Sequence, residues 1–251
     1  METFDPYLAY GIVFGDQHLA RCVRETAKTQ ISTITHLSCF QREIKNLVGI
    51  EYCTNLFELD LHMNEVRDIG PLSELQHLAE LNVGMNPIAS LNPLSAAKQL
   101  KSLTLLDNDI DDLTPLSSLD NLETLHLRFN LIDDLEPLNA LTQLKNLSFS
   151  DNLVKSIAPL AHLTHLSQLN LYKNSVSDLS PLKGLLSLEE IYLGQNPVDD
   201  LSPLLELPNL ILVRMDHINA PQAQKDAVLR HCDLNQQRRS QTLSNDDVLF
   251  E

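Results

Sequence analysis

Leu122-Glu123-Thr124-Leu125-His126-Leu127-Arg128-Phe129-Asn130 spells LxxLxLxxN, and the chain repeats that frame seven times. The closing asparagines are Asn64, Asn86, Asn108, Asn130, Asn152, Asn174 and Asn196, each 22 residues after the last. A second phrase fills each interval: aliphatic, two residues, aliphatic, one residue, Pro-Leu, two residues, usually Leu. Ile110-Asp111-Asp112-Leu113-Thr114-Pro115-Leu116-Ser117-Ser118-Leu119 is typical. Seven in-phase copies over residues 56–209 make a repeat architecture the first conclusion.

Each element of the frame has a physical reason. Leu125 and Leu127, two residues apart, leave the same face of a short strand. Stacked copies of that strand pair in parallel and pool their leucines in one core. The asparagine stands where the chain leaves the strand, and its amide can satisfy backbone groups of neighbouring turns. Prolines at 71, 93, 115, 137, 159, 181 and 203 suit the first turn of a short helix or 3-10 segment. Asn92, Thr114, Ser180 and Ser202 precede four of them and are expected to be N-caps. Asp68, Ser90, Asp112, Asp134, Ser156, Asp178 and Asp200 form another column, read as capping within each loop, with a bridging divalent ion as the alternative. No single unit can bury its apolar side, so stability comes from stacking.

Two degenerate turns flank the regular array. Ile34, Leu37 and Cys39, then Leu47, Ile50 and Cys53, keep the phase at residues 34–55, with Arg42 in the asparagine's place. Leu210, Val213 and Met215 do so at 210–218, with Ile218 in that place. About nine strands are therefore expected. Both ends of such a core need covers. Asp16 and the Leu19, Cys22, Val23 and Ala27 spacing predict a helix over 16–28. A second helix is expected over 221–231, with Ala223, Ala227 and Val228 inward, followed by a polar, flexible tail from Asp233. Val248-Leu249-Phe250 in that tail is read as a disordered end, with docking on a partner as the alternative. The division expected is a cap at 1–33, an array at 34–218, and a cap helix with tail at 219–251. The expected fold is an α/β solenoid: one parallel sheet on one face, 3-10 or helical segments on the other.

The frame resembles the 22-residue class of leucine-rich repeats of bacterial internalins and of the eukaryotic regulator of type-1 protein phosphatase. Phe14-Gly15-Asp16-Gln17-His18-Leu19 and Ile44-Lys45-Asn46-Leu47-Val48-Gly49-Ile50-Glu51-Tyr52 look like the cap and first turn of internalin-like proteins, which points to a bacterial origin. The resemblance implies recognition of a protein on the concave sheet face and no catalytic residues. It differs in showing no Ig-like module and no wall-sorting signal.

Composition narrows the function classes. With 18 Lys+Arg against 34 Asp+Glu the formal charge is −16, which repels phosphate backbones and argues against nucleic acid. No apolar run reaches the length of a membrane span, and the start Met1-Glu2-Thr3-Phe4-Asp5 has no basic signal region. A cytoplasmic monomer is expected, with export by a specialised apparatus as the alternative. Cys22, Cys39, Cys53 and Cys232 lack metal-ligand spacing. They are read as reduced thiols, with a disulfide among the first three as the alternative if the chain is exported. Asp107-Asn108-Asp109-Ile110-Asp111-Asp112 imitates a calcium loop but lacks its glycine and has Ser118 where the glutamate belongs. His162 and His165 fall in the convex segment and read as surface residues. No metal, cofactor or catalytic group is assigned.

A partner site is assigned instead. The third, fifth and seventh residues of LxxLxLxxN point away from the core, onto a face no helix covers. Leu106 is the one aliphatic residue among those positions in the seven repeats, with Glu58, Asp60, Glu80 and Glu190 toward the ends and Ser102, Thr104, Thr124, Asn146, Ser148 and Ser150 between. Leu106, His126, Arg128, Tyr172 and Tyr192, with Phe129 at the eighth position, are the candidate protein-binding residues, since Tyr and Arg are enriched at binding hot spots. The expected function is a non-catalytic protein-binding module. The alternatives are a regulatory subunit that docks on an enzyme such as a phosphatase, or an adhesion protein.

Overall fold

The structure, a computed structural model, describes residues 8–27 and 30–246. Two short antiparallel strands, β1 (Leu8–Ala9) and β2 (Ile12–Val13), precede helix α1 (Gln17–Thr26). A parallel sheet then runs in unbroken chain order through β3 (His36–Ser38), β4 (Glu58–Asp60), β5 (Glu80–Asn82), β6 (Ser102–Thr104), β7 (Thr124–His126), β8 (Asn146–Ser148), β9 (Gln168–Asn170), β10 (Glu190–Tyr192) and β11 (Leu212–Arg214). Helix α2 (Gln222–Asp246) ends the described chain. The register advances by one repeat at each step: Leu103 pairs with Leu125, and Leu125 with Leu147. Short 3-10 segments, each with proline near its start, return the chain on the far side in the seven regular turns.

Between these two walls lies one continuous apolar core. Leu125 and Leu127 are fully buried, as are Leu116, Leu119 and Leu122 of the return path. The asparagine column holds the turns together. Asn130 Oδ1 accepts from the amides of Asn108 (3.3 Å) and Ile110 (2.9 Å) in the preceding turn, and Nδ2 donates to the carbonyls of Leu105 (2.8 Å) and Leu127 (3.0 Å). Asn64 makes the same four contacts with Arg42, Ile44, Cys39 and Leu61. Asn64 and Asn130 thus each satisfy two donors and two acceptors that would otherwise be buried unpaired.

The caps of the 3-10 segments differ from the sequence expectation. Asn92, Thr114, Ser180 and Ser202 are the first residues of those segments and cap nothing from N-cap positions. The residue two places earlier does the capping: Asp112 Oδ1 accepts from the Thr114 amide at 2.8 Å, Asp178 from Ser180 at 2.8 Å and Asp200 from Ser202 at 2.9 Å. Ser90 and Ser156 do the same with their hydroxyls. The Asp/Ser column is therefore occupied in loop capping, and those bonds hold Asp112, Asp178 and Asp200 below the ordinary carboxylate range.

At the N-terminal end Asp16 Oδ1 caps α1 by accepting from His18 (2.7 Å), while Oδ2 accepts from the Lys45 amide of the first turn (2.9 Å). Phe14 fills the space over Gly49, whose φ of 105° and crowding against the ring admit no side chain. The reading of all four cysteines as reduced is corrected here. Cys22 of α1 and Cys39 beyond β3 form a disulfide, at a Cα separation of 5.8 Å, because the cap helix lies directly on the first turn. Cys53 and Cys232 are free and buried, and burial pushes their thiols up to about 12 and about 11.

The C-terminal cap is longer than the expected 221–231 helix. Gly and Pro are absent between 222 and 246, so nothing stops the helix. Its side chains also bind carbonyls of the last turn that have no further turn to receive them. Asn235 Nδ2 donates to Leu210 O (3.0 Å), Gln236 Nε2 donates to Ile211 O (2.8 Å), and a His231 nitrogen lies 2.8 Å from Leu207 O. Val228, Cys232 and Asn235 form the buried face, Ala227 is half-buried, and Ala223 is exposed, contrary to the inward position expected of it. Val248-Leu249-Phe250 lies outside the described residues.

Candidate functional site

The strands carry the third and fifth frame positions, and the seventh just beyond them, onto a face that no described element covers. The structure places all six sequence-assigned residues on it, though not as a single cluster. Arg128 and Phe129 follow β7, with the guanidinium carbon 4.3 Å from the centre of the Phe129 ring. Tyr172 follows β9, and its hydroxyl accepts from Gln195 Nε2 at 2.6 Å. Tyr192 ends β10 and donates to Glu190 at 3.3 Å. His126 and Tyr192 border a shallow polar hollow of about 190 Å³ with Asn146, Ser148, Gln168, Asn170 and Glu190. Surrounding protein desolvates the His126 imidazole and lowers its pKa from 6.5, although the side chain still reaches solvent. Leu106 is half-buried and lies in the column that continues to Arg128.

Two residues missed by the sequence reading tie this surface together. Asp151, its side chain only 7 % exposed, receives Arg128 Nε at 3.2 Å and Lys173 Nζ at 2.8 Å. Those contacts raise the Lys173 pKa. The Asp151 and Lys173 side chains come from eighth positions, and so does Phe129. The backbone at the eighth position is left-handed in every turn, with φ near +55° at Phe129, Asp151 and Lys173. That conformation turns the side chain onto the edge of the sheet, an effect a strand-alternation rule cannot anticipate. Ser150 is corrected in the opposite sense: it was expected on the open face but is buried, lying between the large neighbours Arg128 and Tyr172 of its column.

His162 and His165 are exposed, and a His165 nitrogen is 2.8 Å from Thr142 O, in the column where Asn121 and Asn209 bond to Lys98 and Leu186. Among the described residues no group of three His, Cys, Asp or Glu is placed to hold a metal ion, and no helix is long and apolar enough to cross a membrane.

A parallel sheet with one strand per 22-residue turn, an asparagine ladder and 3-10 returns defines a leucine-rich-repeat solenoid. Residues 98–140 and 142–184 match the family described as Leucine Rich repeats (2 copies). Internalin C2 of Listeria monocytogenes is 36 % identical over 80 % of this chain and 94 % of its own, with a TM-score of 0.77. The internalin InlF of the same organism is 31 % identical over 86 % of this chain and 67 % of its own, with a TM-score of 0.81. The chain belongs to the internalin-like family of bacterial leucine-rich-repeat proteins. The plant peptide hormone receptor RGFR1, solved in complex with RGF2, shares the fold at 21 % identity and a TM-score of 0.60, over 67 % of this chain and 30 % of its own. A search of curated proteins finds no match. The fold is a scaffold for protein–protein interaction, and proteins of this family are typically non-catalytic.

Proposed function

We propose that the chain binds a protein partner across the sheet face, concave in this class of solenoid, through Leu106, His126, Arg128, Phe129, Tyr172 and Tyr192. The observation that carries the reading is that Arg, Phe and Tyr side chains stand on a face that no described element covers. Arg128 is held against both Phe129 and Asp151 before any partner arrives, which lowers the entropy lost on docking. The chain acts as a monomer whose repeats present this surface.

The partner's compartment follows from the cysteines. A bond between Cys22 and Cys39 persists in oxidising surroundings, whereas cytosolic thiols are kept reduced. That favours an exported chain, the alternative to a cytoplasmic one, and a partner outside the producing cell.

The test is a triple variant, Arg128→Ala, Phe129→Ser and Tyr172→Ala. Alanine at 128 is preferred to a reversed charge because Lys173 still neutralises Asp151. With circular dichroism and melting unchanged, loss of the partners captured by wild type is expected, since hot-spot truncations cost about 2 kcal/mol or more each. Recovery of the same partners at the same affinity would exclude this face.

A further inference from the structure

The backbone ladder between turns repeats without a gap until the last strand. From the first turn to the eighth, the amide of the sixth frame position donates to the fifth-position carbonyl of the next turn. Leu61 donates so to Asn82 (2.8 Å) and Leu193 to Arg214 (2.8 Å). The eighth-position amide donates likewise to the next turn's seventh-position carbonyl, as Met63 does to Gly84 (3.0 Å) and Gln195 to Asp216 (2.8 Å). The corresponding donors of the final turn are the amides of Met215 and His217, and no described residue accepts from either. Val213 adds a third donor. Leu212 N donates to Glu189 O (3.1 Å), and alternation in a parallel ladder turns the Val213 N–H and C=O away from β10.

Helix α2 closes this turn for one kind of group. Asn235 and Gln236 donate to the carbonyls of Leu210 (3.0 Å) and Ile211 (2.8 Å), both ahead of β11. The bonds that α2 makes to the turn leave the amides from Val213 to His217 without an acceptor among the described residues. Side chains do not seal the edge either: Arg214, Asp216 and His217 are exposed and Met215 is half-buried. Arg214 forms no ion pair among the described residues. The other end of the sheet differs, because the Cys22–Cys39 bond lays α1 directly on the first turn.

The donors recur at every second residue, which along a strand places them about 7 Å apart. Carbonyls of an extended chain meet that spacing, whereas those of a helix are bonded internally. A row of unpaired strand groups is a template for strand addition. We propose that the β11 edge takes an extended segment of a partner protein as a tenth strand of the sheet. The segment's carbonyls accept from Met215 and His217. Its inward apolar side chain continues the buried column of Ile191 and Val213. An acidic side chain stands beside Arg214, since opposite charges across a strand pair are favourable. The edge lies apart from the Arg128–Tyr172 cluster and does not depend on it.

Heteronuclear NMR of the full chain reads this edge through amide hydrogen exchange. In the free chain Met215 and His217 are expected to exchange at least about a hundredfold faster than their bonded counterparts Leu193 and Gln195. The probe is a fluorescent hexapeptide of alternating valine and threonine, with one threonine replaced by glutamate. At saturation it is expected to slow exchange at Met215 and His217 about tenfold or more. Met215→Pro removes an outward-facing donor at an edge, where proline is tolerated, and is expected to weaken the peptide about tenfold in anisotropy titrations. Met215→Ala truncates the same side chain but keeps the N–H, and is expected to bind within about threefold of wild type. Lysine in place of the peptide's glutamate is expected to weaken it about threefold or more. Equal weakening by the alanine and proline variants, binding that protects neither amide, or no binding to wild type overturns the proposal. So does protection without peptide: if it rises with chain concentration a second copy occupies the edge, and if it is constant the chain covers the edge itself. Should Met215→Pro fail to fold, exchange in the wild-type chain decides. The Arg128→Ala, Phe129→Ser, Tyr172→Ala chain is expected to bind the peptide as wild type does, so failure of either surface is read separately.

Discussion

Asn130 shows how much one side chain carries in a solenoid. Its four bonds join two consecutive turns, and its shape leaves no substitute: aspartate has no donor, leucine no polar atom. Asn130→Ala strands two buried donors and two acceptors and is expected to cost about 1–3 kcal/mol. Leu125→Ala in the same turn empties a fully buried site and is expected to cost about 2–5 kcal/mol. Urea midpoints at unchanged slope measure both, and a wild-type midpoint in either variant would refute the register. The asparagine column was legible in the sequence because its function requires strict spacing. The ion pairs of Asp151 were not, because they join residues 22 or 23 apart whose side chains turn outward only in the left-handed eighth-position backbone.

At the scale of elements, α1 is fastened to the first turn by unlike bonds: the Asp16 carboxylate to Lys45, Arg42 to Glu25 at 3.0 Å, and the disulfide from Cys22 to Cys39. The disulfide closes a loop with a sequence separation of 17, short enough that chain entropy in the unfolded state gives about 3 kcal/mol. Cys22→Ser with Cys39→Ser, or reduction under native conditions, is expected to lower the melting temperature while leaving the β-sheet signal intact at room temperature. Identical melting with and without reductant would show that the bond does not stabilise the cap. Periodicity located α1 because its apolar face obeys the helical repeat. It underestimated α2 because that helix is held largely by polar side chains, Asn235 and Gln236, bonded to an exposed strand edge, and hydrophobic spacing carries no trace of such bonds.

Over the whole molecule the −16 charge and the Asp capping column act together on pH dependence. Hydrogen bonds from Thr114, Ser180 and Ser202 depress Asp112, Asp178 and Asp200 below 3.8 in the folded chain. A depressed folded pKa contributes stability that is complete above the unfolded value and is lost as pH falls through the folded one. Melting temperature is therefore expected to decline as pH falls below about 3.8, and replacement of all three aspartates by serine, which keeps a capping oxygen without the charge, is expected to flatten that decline. A triple-serine chain with the wild-type acid limb would show that the caps do not set it.

The sequence by itself determined the solenoid, its period, the nine strands of its parallel sheet and the inward leucines, because each turn repeats one local solution and stacking demands that the copies stay in phase. It also marked the open sheet face, since position within the frame decides which side chains leave the core. Tertiary structure alone decided which of those residues meet. Contacts across turns set the Asp151 ion pairs, the burial of Ser150 and the Cys22–Cys39 bond. The physical reason is distance along the chain: a repeat fixes neighbours three or four residues apart by its own geometry, but neighbours 22 apart are fixed only when the turns are laid on one another.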